Sequence, residues 1–191
     1  MNLQKYLITD PKYYGQNKEE FQENLTRILK NSNADFVCFR DKSSENYKEL
    51  IEVFIAVCKA QNIKNIFINT YINEAKKHNV GVHLTSTQFD KIKECKESKE
   101  DKEQNLQVIV SCHTQEDIDY AIKNSADYIT YSPIFESPGK SNFKGIEKLK
   151  QTVEKNSELK IFALGGIVSE AHIKQIQSTN CFGFASIRYF V

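Results

Sequence analysis

Eight short, nearly continuous apolar runs alternate with segments of helical spacing, and no glycine-rich phosphate loop follows the first run. These observations predict an α/β protein built on a parallel sheet with helices over its outer surface. Eight such units close most simply on themselves. The expected fold is therefore a small (β/α)8 TIM barrel, formed as a single domain over residues 1–191. An open, doubly wound sheet would want glycines after its first strand, where this chain has Thr9-Asp10-Pro11.

The apolar runs lie at 6–8, 36–39, 66–68, 80–84, 108–110, 128–131, 161–164 and 182–187. Between them, Phe21, Leu25, Ile28 and Leu29 form one helical stripe, and Leu50, Val53, Phe54 and Val57 another. Ile118, Ala121 and Ile122 form a third, helical spacing resumes at Ile146 after the sixth run, and Ile173 and Ile176 mark the last stripe. Residues 91–103 are dense in charge with few apolar anchors, which reads as a solvated, partly frayed fourth helix. The sequence stops at Val191, directly behind the eighth run, so the barrel's final helix, the one after the eighth strand, is expected to be lacking. The flank holding Tyr189, Phe190 and Val191 then needs a cover, and a second copy of the chain in a homodimer is the expected one.

Lys and Arg total 26 against 25 Asp and Glu, a net charge of +1, so no global field recruits nucleic acid or an anionic membrane. A small anion held by a few local cations fits that balance. The five cysteines form no C-x-x-C pair and are odd in number, which reads as reduced thiols rather than a disulfide frame or zinc site. No signal-peptide core opens the chain and no apolar run approaches membrane-spanning length, so a soluble, cytoplasmic protein is expected.

In a barrel of this kind the chemistry sits just past the C-terminal ends of the strands. Arg40 and Lys42 follow the second run and share a parity, Asn69 follows the third, and Ser111 and His113 follow the fifth. The segment Ser132-Pro133-Ile134-Phe135-Glu136-Ser137-Pro138-Gly139-Lys140 follows the sixth, a cationic loop suited to an anionic substrate. Gly165 and Gly166 follow the seventh and can turn backbone N–H groups outward as an anion nest; Ile187 and Arg188 follow the eighth. Together the last two loops form the usual phosphate site of a barrel. The plainer readings are a turn for the glycines, a salt-bridged rim for Arg40 and Lys42, and a helix cap for His113. His83, inside an apolar run, reads as an interior hydrogen-bonding residue.

Taken in order, these pieces resemble the thiamine phosphate synthase and TenI-type thiazole tautomerase family. The resemblance rests on Leu7-Ile8-Thr9-Asp10, Phe39-Arg40-Asp41-Lys42, Ile66-Phe67-Ile68-Asn69, Gly81-Val82-His83-Leu84 and Ser111-Cys112-His113-Thr114. It continues through Ala126-Asp127-Tyr128-Ile129, Ser132-Pro133-Ile134-Phe135, Ala163-Leu164-Gly165-Gly166-Ile167 and Gly183-Phe184-Ala185. It implies a barrel that holds a thiazole phosphate near Gly166 and Ile187. In the synthase branch it further implies a pyrimidine pyrophosphate held with magnesium by the counterparts of Arg40, Lys42, Asn69 and Lys140.

The departures from that pattern carry as much information. Thr70 and Gln88 stand where the synthases have magnesium-binding aspartates, and Cys38 where they have a glutamine that reads the pyrimidine. Ser137 and Gly139 replace two threonines of the pyrophosphate loop, and Arg188 replaces a phosphate-binding serine. Magnesium wants carboxylates, and Thr70 and Gln88 carry no charge. That favours the TenI branch: a thiazole tautomerase-like enzyme needing no cofactor, with magnesium required only if the synthase alternative holds. The tautomerase histidine is replaced by Pro133, and His113, Ser111 and Cys38 are the candidates that could move the proton in its place. A non-catalytic thiazole-phosphate-binding protein is the third alternative.

Overall fold

The computed structural model describes residues 2–96, 105–137 and 142–191. Eight parallel strands close into a barrel in chain order, β1 (Gln4–Ile8), β2 (Phe36–Phe39), β3 (Asn65–Asn69) and β4 (Gly81–Leu84), then β5 (Val108–Cys112), β6 (Tyr128–Tyr131), β7 (Lys160–Leu164) and β8 (Gly183–Ser186). β8 pairs with β1, with Tyr6 opposite Ala185, so no edge is left open. The predicted barrel is correct, with strand limits within two residues of the apolar runs.

Helices wrap the outside. α1 (Pro11–Tyr14) is a single turn capped by Asp10, and α2 (Lys18–Ser32) and α3 (Tyr47–Ala60) follow as long amphipathic helices. α4 (Ile72–His78) follows β3, and α5 (Ile92–Lys96) follows β4, anchored by buried Ile92 and Cys95. The rest of the charged segment expected as a frayed helix, residues 97–103, lies outside the described residues. α6 (Gln115–Lys123), α7 (Gly145–Lys155) and α8 (Glu170–Gln177) complete the layer.

Among the described residues no helix follows β8, as expected. The flank left there is covered in part by the chain itself. Tyr189 meets the Phe184 ring edge-on at 5.1 Å and Phe190 stacks on it at 6.0 Å, leaving Phe184 fully buried. Tyr189 and Phe190 are themselves half-buried by these contacts, while Val191 stays exposed.

The barrel interior is divided along its axis. Its N-terminal half is plugged by rings from Tyr6, Phe36, Phe67, Tyr128 and Phe162, with Phe182 against them. Each good ring pair adds about 0.5–1.5 kcal/mol beyond burial. Gly81 is required beside this plug, because a Cβ there would lie 2.3 Å from the Phe67 ring. The repeated Ala-Asp before β2 and β6 closes the same end. Asp35 accepts the Lys5 N–H at 2.8 Å and Asp127 the Val108 N–H at 2.7 Å, each on the preceding strand. The internal repeat therefore marks the stability face, opposite the site.

Candidate functional site

Alternate residues of a strand share a face. Cys38, Phe67, Ile109, Tyr128, Phe162 and Ala185 belong to the interior cluster, with Leu164 and Ile187 packed against it. The same parity carried toward the C-terminal ends brings Arg40, Asn69, His83, Ser111, His113, Thr130 and Ser132 onto the open half of the barrel.

The rim over β2, β3 and β4 is internally paired. Arg40 Nη1 donates to Asp10 Oδ2 at 3.0 Å, and its backbone is tied to Thr9. Asp41 is not a solvated spacer: it is buried, and accepts bonds from the amides and hydroxyls of Ser43 and Ser44. Burial works against its charge, but those four donors win and hold the carboxyl below its ordinary range. Lys42 stands exposed, while Arg40 is half-buried against Asp10. Asn69 Nδ2 donates to the His83 carbonyl at 2.8 Å. Gln88 Nε2 donates to the Thr70 carbonyl at 3.3 Å, while its Oε1 accepts from the amide and hydroxyl of Thr85 at 3.2 Å. The two uncharged positions are clasped to each other. Thr70 holds a left-handed backbone, φ 67°, which is costly for a β-branched residue.

The floor is formed by Tyr6, Cys38, His83 and Ser111. Tyr6 Oη lies 2.9 Å from His83 Nδ1, and His83 Nε2 lies 3.0 Å from Ser111 Oγ. Burial, with the Arg40 charge second, pushes the His83 pKa down to about 3. Burial pushes the Cys38 thiol up to about 12, and the residue is fully buried. Its proton stays on sulfur at neutral pH, so this environment favours Cys38 as floor rather than as a proton-transfer group.

His113 is not the helix cap. Thr114 and Asp117 form the capping box of α6, and only the His113 amide joins it, donating to Asp117 at 2.7 Å. The His113 ring crosses instead to β6, placing Nδ1 3.0 Å from the Ser132 carbonyl and 3.2 Å from its hydroxyl. A carbonyl can only accept, so Nδ1 carries the hydrogen, and in the neutral ring Nε2 is the nitrogen that holds the lone pair.

The rim over β7 and β8 is open. Ser186 Oγ donates to the Ile167 carbonyl at 2.7 Å and accepts the Tyr189 amide at 3.2 Å, which joins the two loops. The loop after β6 lies across them: the amides of Ile134 and Phe135 donate to Leu164 and Gly165 at 2.9 and 3.0 Å, and Phe135 stacks on His172 at 4.2 Å. Gly166 has φ 72°, and a Cβ there would sit 2.4 Å from the Glu136 carbonyl oxygen, so only glycine fits. Among the described residues, the Gly166 and Ile187 amides have no hydrogen-bond acceptor. Arg188 is exposed beside them, and Ser137 turns its hydroxyl back to the Phe135 carbonyl at 3.3 Å. Lys140 lies outside the described residues.

The sequence pattern of the family described as thiamine monophosphate synthase matches residues 5–190. The chain belongs to that family. A relative from Aquifex aeolicus, “Putative thiamine-phosphate synthase 2”, is 34% identical over 97% of this chain and 96% of its own length. The thiamine-phosphate synthase of Citrobacter koseri is 30% identical over 69% of this chain and 62% of its own. Among solved structures, the thiamine phosphate pyrophosphorylase of Pyrococcus furiosus shares the fold, with a TM-score of 0.74, 20% identity, and coverage of 97% of this chain and 85% of that one. Family membership and barrel thus agree with the residue-level resemblance.

Within the family's frame, sequence reasoning passed over three groups: Asp10 as the partner of Arg40, the Ser186 bridge, and Ser132 as the anchor of His113. The available signal was parity, since Ser132 and His113 both continue the inward face of their strands.

Proposed function

We propose that this member binds a thiazole phosphate carboxylate and isomerises its ring without metal, as TenI-type tautomerases do. The observation that carries this reading is the His113 ring fixed on the Ser132 carbonyl at 3.0 Å. That contact puts an imidazole beside residue 133, where the tautomerase pattern has its own histidine and this chain has proline. His113 Nε2 can then take a proton from one ring carbon and return it to another, while the Gly166 and Ile187 amides hold the phosphate.

The magnesium implied by the synthase branch does not suit the residues present. A clasped amide and carbonyl at Gln88 and Thr70 offer no negative charge to offset the dehydration of a hard cation.

A second reading, a thiamine phosphate synthase with altered metal ligands, is favoured by the names of the relatives and by the synthase-like Ser132-Pro133-Ile134-Phe135. Thiazole isomerisation and thiamine phosphate formation, assayed side by side with and without magnesium, separate the two. Isomerisation indifferent to chelation is the expected result, with His113→Asn slowing it by about a hundredfold or more while affinity holds. Brisk magnesium-dependent coupling would replace this reading with the synthase, and tight binding with no turnover would leave a carrier.

A further inference from the structure

Tyr6, His83 and Ser111 form a chain of hydrogen bonds that climbs from the aromatic plug to the open half of the barrel. Tyr6 and His83 are 0% and 4% exposed, so neither can exchange these bonds for water. Burial first, and the Arg40 charge second, keep His83 neutral. A neutral imidazole has one N–H and one bare nitrogen, so the chain can run in only two directions.

In one direction Tyr6 donates to Nδ1, and Nε2–H donates to Ser111. In the other, Nδ1–H donates to Tyr6, Ser111 donates to Nε2, and the phenol must place its own proton elsewhere. The alternative acceptor for the phenol is the Cys38 sulfur. That sulfur is a weak acceptor; its own S–H reaches the Phe39 carbonyl at 3.4 Å and it also lies 4.0 Å from His83 Nδ1, where it too could only donate to a bare nitrogen. The first direction leaves a phenol on an imidazole nitrogen, a much stronger pair inside a dry interior.

We infer that Tyr6 and His83 are positioning residues that leave the Ser111 hydrogen pointing away from the imidazole, so that Ser111 meets a ligand as a donor to an oxygen such as that of a phosphate or carboxylate. With Nε2–H occupying an oxygen lone pair of Ser111, the serine O–H is the hydrogen left to offer. The tautomer stands on the interior geometry alone. Only the ligand's identity rests on the function proposed above.

The deciding experiment is nitrogen-15 NMR of the whole protein with labelled histidine, read alongside a binding cycle. Neutral His83 with its hydrogen on Nε2 is expected, and a hydrogen on Nδ1 overturns the inference. In calorimetry with thiazole phosphate carboxylate, Ser111→Ala should lose roughly tenfold in affinity and the volume-conserving Tyr6→Phe roughly threefold. The double variant should be no worse than Ser111→Ala alone, because Tyr6 acts through Ser111. Simple addition of the two losses would show a packing effect and remove the positioning role. If the unsubstituted protein binds no thiazole phosphate, the proposed function fails, and the NMR tautomer alone decides the inference.

Discussion

The rim over β7 and β8 and the rim over β2, β3 and β4 are built from similar polar groups, yet they leave them in opposite states. Over β7 and β8, Ser186 spends its hydroxyl on joining two loops, and among the described residues the Gly166 and Ile187 amides are left without acceptors. Over β2 to β4, Arg40 is answered by Asp10, Asp41 by two serines, and Gln88 by Thr70 and Thr85. A rim that satisfies itself gains stability and gives up affinity, because a ligand must first displace those partners. Under the proposed function, the open rim is the one that takes the phosphate, and the paired rim offers a metal no charge at Thr70 and Gln88.

The sharpest way to break the open rim is Gly166→Ala. A left-handed backbone costs an L-residue about 1–2 kcal/mol, and a Cβ 2.4 Å from the Glu136 oxygen adds overpacking of about 1–3 kcal/mol. Denaturant unfolding should therefore show a loss of about 2–5 kcal/mol, together with loss of thiazole phosphate binding. Gly145→Ala is the matched control: its φ is 76°, but a Cβ there meets nothing within 4 Å. It should lose only about 1–2 kcal/mol. Equal losses at the two glycines would mean that the loop after β6 does not lie on Gly166.

Acid tests the paired side next. The Arg40 charge acts on His83 as the second cause of its low pKa, after burial. The folded chain keeps that ring neutral down to about pH 3, while the unfolded chain protonates it near 6.5. Below 6.5 the unfolded state binds a proton that the folded state refuses, so stability is whole above that value and falls as the pH drops toward 3. At 1.36 kcal/mol per unit, the loss by about pH 5 is about 2 kcal/mol. Urea unfolding of the native chain against His83→Gln checks this. The variant should show a slope shallower by one proton, and parallel slopes would place His83 in contact with water.

How much of this was legible beforehand follows from the range of each interaction. The strands were, because a buried parallel strand is apolar along its length, and Phe36 to Phe39 or Ile66 to Ile68 cannot be anything polar. The glycine turn was too, since Gly165-Gly166 follows a strand and precedes a helix. The partners were not. His113 finds Ser132 and Arg40 finds Asp10 across separations of 19 and 30 residues, which no local pattern encodes. Depth was equally hidden: Cys38 and Arg40 share a face, yet one is fully buried and the other reaches the rim. The departures at Thr70 and Gln88 were visible as missing charges, but their bond to each other needed the fold.

The smallest effects give the cleanest contrast, because they should cross. Arg188 is exposed and Gln88 is engaged three times over, as donor to Thr70 and as acceptor from Thr85. A charge-assisted contact to phosphate is worth about 1.5–3 kcal/mol when shielded. At an exposed arginine, solvent and salt reduce it to about 1 kcal/mol. Arg188→Ala should then weaken thiazole phosphate binding by roughly fivefold, more at low salt than at high, with unfolding unchanged. Gln88→Ala should do the reverse, lowering stability by about 1 kcal/mol through the lost clasp and leaving phosphate affinity intact. If Gln88→Ala instead raises affinity for an added pyrophosphate, the paired rim is a site held shut by its own bonds. If Arg188→Ala lowers stability, its guanidinium has a structural partner and does not belong to the open rim.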